Sequence, residues 1–261
     1  MHFLIMHFLK KKQYDITSYE EIIHSSNNKT EINILLAEKI PVITYHKIVN
    51  DWEKKKEIRH SSLSISRSAF KNQMKWLKKR KYLTLNCSEF YLWHQKKIEF
   101  PKKSVLITFD DGTIGQAKYA MPILKKYNMK GTSFIIGKLT YNKRKGVISY
   151  KQMREIEKLY PNFEFQSHTF SLHIHLKKDA YNKTLKDALI QKKYYDFKYL
   201  AYPFGFFTSD MAKAYNDSGI KMGFTYGKNA FATREQDIFR IRRIKVNSRE
   251  SFSKFTRWFI D

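Results

Sequence analysis

From Ile40 onward, short apolar runs alternate with stretches whose apolar residues recur at helical spacing, and nothing else in the chain constrains the fold as strongly. The apolar runs fall at 40–45, 82–86, 104–109, 131–136, 163–167, 198–202, 221–225 and 240–246, and helical patterns at 66–82, 116–127, 150–159, 180–193 and 209–217 separate most of them. Strands joined by helices pair in parallel, and parallel strands need both faces covered. Eight such units are too many for a small sandwich and suit an α/β barrel. The expected fold is therefore a distorted or incomplete (β/α) barrel of seven to eight strands. The segment 66–82 shows the helical pattern best: it opens on a serine fit to cap a helix, then places Phe70, Gln73, Met74 and Leu77 on one face with lysines opposite.

Residues 1–36 end in the polar stretch "SSNNKT" and read as a short N-terminal arm and linker, leaving 37–261 as one domain. With 42% hydrophobic and 16% aromatic residues the chain has ample material for a core. Its 50 Lys and Arg outnumber 24 Asp and Glu, for a formal charge of +26. That charge attracts polyanions in general. No zinc-finger spacing, RNP-like aromatic signature or heptad zipper accompanies it, so nucleic acid is not an expected partner. An anionic cell-envelope polymer or membrane surface stays open. Cys87 is the one cysteine, which rules out an internal disulfide framework and a thiolate metal cluster. The opening "MHFLIMHFLKKK" places its lysines after the apolar run, the reverse of a secretory signal, and no stretch approaches the roughly 18 apolar residues that span a bilayer.

In α/β barrels, chemistry gathers just past the C-terminal ends of the strands. Four expected strands end in unusual polar sets: "VITYH" at His46, "LITFDDG" at Asp110 and Asp111, "FEFQSHTFSLHIH" at His168, His173 and His175, and "YLAYPFG" at Tyr202 to Gly205. Adjacent carboxylates raise each other's pKa, so such a pair needs compensation. His168 and His173 are five residues apart, an offset that sends them to opposite faces of a strand and about 140° apart on a helix. They converge only if the chain leaves the strand after His168 and turns. Two imidazoles and one carboxylate would make a three-ligand set for a divalent cation with positions open for water and substrate. One aspartate would then bind the cation and the other would be free to act as a base.

These residues resemble a known family, the polysaccharide deacetylases of carbohydrate esterase family 4, which share the NodB homology domain. "TFDDG" (108–112) is similar to the family's first motif, "SHTFSLH" (167–173) to its second and "AYPFG" (201–205) to its third. The longer spacing between the histidines resembles the branch of poly-β-1,6-N-acetylglucosamine N-deacetylases, as do "PVITYHKI" and the run from "FPKKSVLITFDDG" to "GTSFII". The resemblance covers roughly residues 40–250. It implies that Asp111, His168 and His173 are metal ligands, zinc by preference with cobalt, nickel or iron as alternatives, and that Asp110 is the general base. It further implies that the backbone N–H of Phe204 helps hold the oxyanion. In that branch the order of motifs is circularly permuted, which makes His46 the general acid; consistently, no histidine follows His175. The implied substrate is an acetylated glucosamine polysaccharide, and the implied location extracellular or cell-surface.

One departure limits the transfer. Relatives outside this branch carry an arginine in the third motif that orients the base, and Ala201 stands there here. Arg240, Arg242 and Arg243 are candidate replacements that spacing alone does not separate. His175 takes no role and is expected on the surface or the cleft rim. Tyr202, Phe204, Phe206 and Phe207 offer either a stacking floor for sugar rings or core packing. Competing readings are a deacetylase of peptidoglycan or a chitin-like glycan, a non-catalytic carbohydrate-binding relative, a magnesium-dependent phosphoryl-transfer domain, and a basic binding module.

Overall fold

The computed structural model describes residues 36–53, 61–176, 178–227 and 231–259; the arm expected at 1–36 lies, but for its last residue, outside these. Seven strands form a closed parallel ring. In chain order the strands are β1 (Lys39–Tyr45), β2 (Lys47–Val49), β3 (Ser64–Ser66), β4 (Leu83–Leu85), β5 (Ser104–Phe109), β6 (Gly131–Ile135), β7 (Phe163–Ser167), β8 (Tyr199–Ala201), β9 (Met222–Tyr226), β10 (Phe231–Thr233) and β11 (Ile241–Lys245). Parallel pairings run from β1 to β5, through β6, β7, β8 and β9 to β11, and back to β1. The eighth expected strand is present as β4, which lies parallel to the start of β5 and outside the ring. β10 pairs antiparallel with β1. β2 and β3 form a separate parallel pair, too short at three residues each to leave a period in the sequence.

Side-chain alternation divides the core into two layers. Val42, Leu106, Tyr199, Phe224 and Ile241 belong to the cluster inside the ring, whereas Ile43, Ile107, Phe109, Phe165 and Leu200 belong to the cluster under the helices. The first helix, α1 (Arg67–Lys79), buries Phe70, Gln73, Met74 and Leu77, and its N-cap Ser66 accepts a hydrogen bond from the Ala69 amide. The next, α2 (Cys87–His94), had no amphipathic signature because it buries Cys87, Glu89, Phe90, Trp93 and His94, and it adds Phe90 and Trp93 to the inner cluster. A capping box between Asn86 and Glu89 starts it.

The helices expected at 116–127, 150–159, 180–193 and 209–217 are all present. The first is a π-helical turn (Gln116–Ala120) continuing into α3 (Met121–Lys126). After α4 (Gly137–Tyr141), the others are α5 (Tyr150–Leu159), α6 (Ala180–Lys192) and α7 (Ser209–Ser218), and α8 (Phe252–Thr256) closes the series. Among the described residues no helix is long and apolar enough to cross a membrane.

Candidate active site

The alternation that puts Val42 and Leu106 inside the ring carries the same faces to its mouth. On β5 the inward set is Leu106 and Thr108, and Asp110 follows two residues on, its amide still bonded to the Tyr45 carbonyl at 2.9 Å. Asp110 is accordingly buried, at 1% exposure. The chain then departs from the strand: Asp111 has φ 70° and Gly112 φ 63°. A Cβ at Gly112 would lie 2.9 Å from Ile135 Cγ2, so the turn requires glycine on two counts. The adjacent carboxylates are thereby sent to different environments.

Asp111 meets both histidines. Its Oδ1 lies 3.6 Å from His168 Nε2 and 3.5 Å from His173 Nε2, and the three ligand atoms all fall within 4.8 Å of one another. His168 is buried, while Asp111 and His173 side chains are 30% and 34% exposed, so the cluster opens toward solvent on one side. His168 Nδ1 sits 2.7 Å from the Ala201 carbonyl. As the donor in that bond, Nδ1 carries the proton and leaves the Nε2 lone pair facing Asp111, the tautomer a metal ligand needs. The donor set and its tautomer both fit a divalent cation.

How histidines five apart converge is visible in the loop between them. The chain leaves β7 at Ser167, Thr169 takes φ 68°, and Asp187 of α6 accepts hydrogen bonds from the amides of Phe170 (2.7 Å) and Ser171 (2.8 Å). The turn expected from spacing is real; Asp187 holds two of its amides, and the Gly137 and Lys138 amides donate to the carbonyls of Thr169 and Phe170.

Asp110 is held from the opposite side. Arg243 donates Nη1 to Oδ1 and Nη2 to Oδ2, each at 2.8 Å, and the Tyr226 hydroxyl donates to Oδ2 at 2.7 Å. Of the three candidate arginines, Arg243 is the one on the same face of β11 as inward Ile241, which is the signal that could have selected it. Tyr226, one residue past the strand expected at 221–225, was not singled out, and neither was Gln116, whose Nε2 donates to the carbonyls of Asp110 (2.6 Å) and His46 (2.9 Å). Burial raises the Asp110 carboxyl, but Arg243, His168 and His46 outweigh it and hold the group well below the usual carboxylate range. His46 Nε2 stands 3.9 Å from Asp110 Oδ2, and burial lowers the His46 pKa against the opposing pull of Asp110 and Asp111.

Phe204 lies in a 3₁₀ turn (Pro203–Gly205) with φ 59°, its ring 53% exposed and 4.6 Å from that of His173. His175 is exposed at the rim, as expected. The structure thus gathers Asp110, Asp111, His46, His168, His173 and Phe204 at one mouth of the barrel. Tyr202 points the other way, buried in the outer cluster, and Phe206 and Phe207 pack against that cluster, so core packing accounts for these three.

Residues 97–223 match the family model described as polysaccharide deacetylase. Over 221 residues the chain is 34% identical to the poly-β-1,6-N-acetyl-D-glucosamine N-deacetylase of Staphylococcus aureus, across 78% of this chain and 74% of that one. The chain belongs to the polysaccharide deacetylase family. Among solved structures of similar proteins, the Streptococcus pyogenes deacetylase PplD in complex with acetate superposes with a TM-score of 0.77 at 26% identity, covering 85% of this chain and 99% of that one. IcaB from Ammonifex degensii gives a TM-score of 0.70 at 23% identity over 84% of this chain and 94% of its own, a likeness of fold. Membership in the polysaccharide deacetylase family gives the paired carboxylates and histidines a chemical context, and in this chain, with Ala201 in the third motif, the guanidinium that meets Asp110 comes from Arg243.

Proposed function

We propose that the chain is a metal-dependent hydrolase that removes N-acetyl groups from a polymer of N-acetylglucosamine, poly-β-1,6-N-acetylglucosamine in the first instance, releasing acetate. One observation carries this reading: a buried ionised carboxylate, Asp110, beside a separate Asp–His–His cluster with ligand geometry. A phosphoryl-transfer domain needs no such pair of histidines, and oxygen-preferring magnesium would not select them.

Asp111, His168 and His173 would hold the cation, zinc or a neighbouring first-row metal by the softness of two imidazoles. When bound, such a cation supplies Lewis acidity that acidifies water and polarises an amide carbonyl. Asp110 accepts the proton of the attacking water. Its grip by Arg243 and Tyr226 keeps it ionised and aimed, at the expense of basicity, so positioning rather than pKa makes it effective. The Phe204 amide donates to the oxygen on which charge develops. His46, within reach of Asp110, delivers a proton to the departing sugar nitrogen, which an amine leaving group requires. Action on such a polymer places the reaction at the cell surface, where the basic exterior would favour an anionic envelope.

Acetate release from oligomers of β-1,6-linked N-acetylglucosamine, chitin and peptidoglycan, before and after chelation and metal add-back, tests the reading. The expected result is release from the β-1,6 oligomer that chelator abolishes and added zinc restores. Full metal occupancy with no acetate from any of the three would make the chain a non-catalytic relative.

A further inference from the structure

His175 has no place in the chemistry above, yet its ring is the best-aligned partner of Phe204. The two ring planes differ by 10° with centroids 4.8 Å apart, a stacked pair, and His175 also meets Phe206, edge-on at 5.1 Å and 65°. His175 comes from the loop after β7, whereas Phe204 and Phe206 come from the loop after β8. One ring therefore bridges two loops of the barrel mouth, touching both aromatic residues that flank Gly205 in the chain.

The turn it touches needs holding. Phe204, with φ 59° and ψ 6°, is a side-chain-bearing residue in the left-handed region, and Gly205 follows at φ 69°. Such a conformation persists only where the surroundings over-determine it. One constraint is already evident: a Cβ at Gly205 would stand 2.7 Å from Tyr226 Cδ2 and 2.9 Å from the Tyr226 amide nitrogen, so the turn backs closely onto Tyr226, the residue that donates to Asp110. That close approach constrains the turn at Gly205. His175 and His173 both meet the Phe204 ring.

We propose that His175 is a positioning residue: by stacking on Phe204 it completes the clamp on the left-handed turn and so holds the Phe204 peptide in the orientation that catalysis uses. The catalytic part of this inference rests on the reading in which the Phe204 amide stabilises developing charge. A donor aimed in advance at that charge needs no reorganisation during the reaction, whereas a peptide free to rotate loses that advantage. The ring, not the imidazole chemistry, is what the clamp requires. Phenylalanine should serve where alanine does not.

The test compares His175→Ala and His175→Phe with the wild type. Hydrogen exchange of the 203–206 peptide, followed by mass spectrometry on the metal-free protein, should speed up on the order of tenfold in His175→Ala and return to the wild-type rate in His175→Phe. With zinc restored, kcat on a β-1,6-linked oligomer should fall on the order of tenfold in His175→Ala, with KM and zinc affinity within about twofold of wild type, and should recover in His175→Phe. Unchanged exchange in His175→Ala overturns the clamp, as does a His175→Phe variant as impaired as alanine. A loss of zinc affinity that matches the loss of turnover also overturns it, because His175 would then act through His173. Faster exchange in His175→Ala together with a wild type that releases no acetate would instead defeat the proposed function, leaving the clamp as a purely structural device.

Discussion

Arg243 grips Asp110 with two parallel hydrogen bonds, one to each carboxylate oxygen, where both side chains are almost wholly buried. The guanidinium also lies 4.9 Å from the ring of Tyr226 and 5.4 Å from that of Phe134, so its plane is fixed by aromatic faces as well as by the fork. A buried pair of this kind is dangerous to break, because the remaining partner is left charged and dry. Arg243→Met should cost about 3–5 kcal/mol in urea unfolding. The Asp110→Asn/Arg243→Met double variant should lose less than the sum of the single losses, since no lone charge remains. Arg243→Lys keeps the charge but loses the fork, and should retain more stability than turnover. Additive losses in the double variant would remove Arg243 as the partner that matters.

The two aspartates should separate in their effects. Asp110→Asn leaves the Asp111–His168–His173 set untouched and should bind zinc like the wild type while losing nearly all acetate release. His168→Ala should lose both. Metal content after dialysis, measured beside turnover, distinguishes them. Wild-type turnover in Asp110→Asn would disprove its role as base.

Asp187 touches neither the expected metal nor the substrate, but it pins two amides in the loop that brings His173 to Asp111. Asp187→Ala should weaken zinc binding on the order of 10- to 100-fold, the range typical of groups that orient ligands. The barrel should melt with a smaller change. Titration with zinc against a competing chelator reads the difference, and unchanged affinity would show that the loop holds its shape without Asp187.

Much of this architecture was legible. Strand positions emerged from apolar runs because parallel strands buried on both faces need nothing but apolar residues, and Phe70, Gln73, Met74 and Leu77 marked the buried stripe of α1. The helix α2 was not legible, since a helix buried on most of its surface has no polar face to set a period. At the site, the motifs led to Asp110, Asp111, His46, His168, His173 and Phe204 but could not choose among Arg240, Arg242 and Arg243, which depends on whether a residue points into the ring. Asp187 and Tyr226 escaped for a related reason: each acts through a partner 16 or more residues away in the chain, and only the fold joins them.

Proton binding gives the metal-free protein a defined pH dependence. Burial lowers the folded-state pKa of both His168 and His46, with the aspartates opposing. Between an unfolded value near 6.5 and the lower folded values, the unfolded chain binds more protons than the folded one. The stabilising contribution of these histidines is therefore complete above pH of about 6.5 and is lost as pH falls. Asp110, whose folded pKa is lowered, loses its contribution only at far more acid pH. Urea midpoints for the metal-free protein should decline from pH 7.5 to pH 5.5, on the order of a few tenths of a molar, and His168→Gln should flatten the decline. A wild-type midpoint independent of pH across that range would contradict the assignment.

The ring closes between β1 and β11, and the latter strand delivers the guanidinium to a carboxylate 133 positions earlier in the chain. During synthesis Asp110 is made long before the group that grips it. Until residue 243 has emerged and docked, Asp110 has no guanidinium to meet it. A product ended before residue 243 would therefore keep the carboxylate without the guanidinium that offsets its burial.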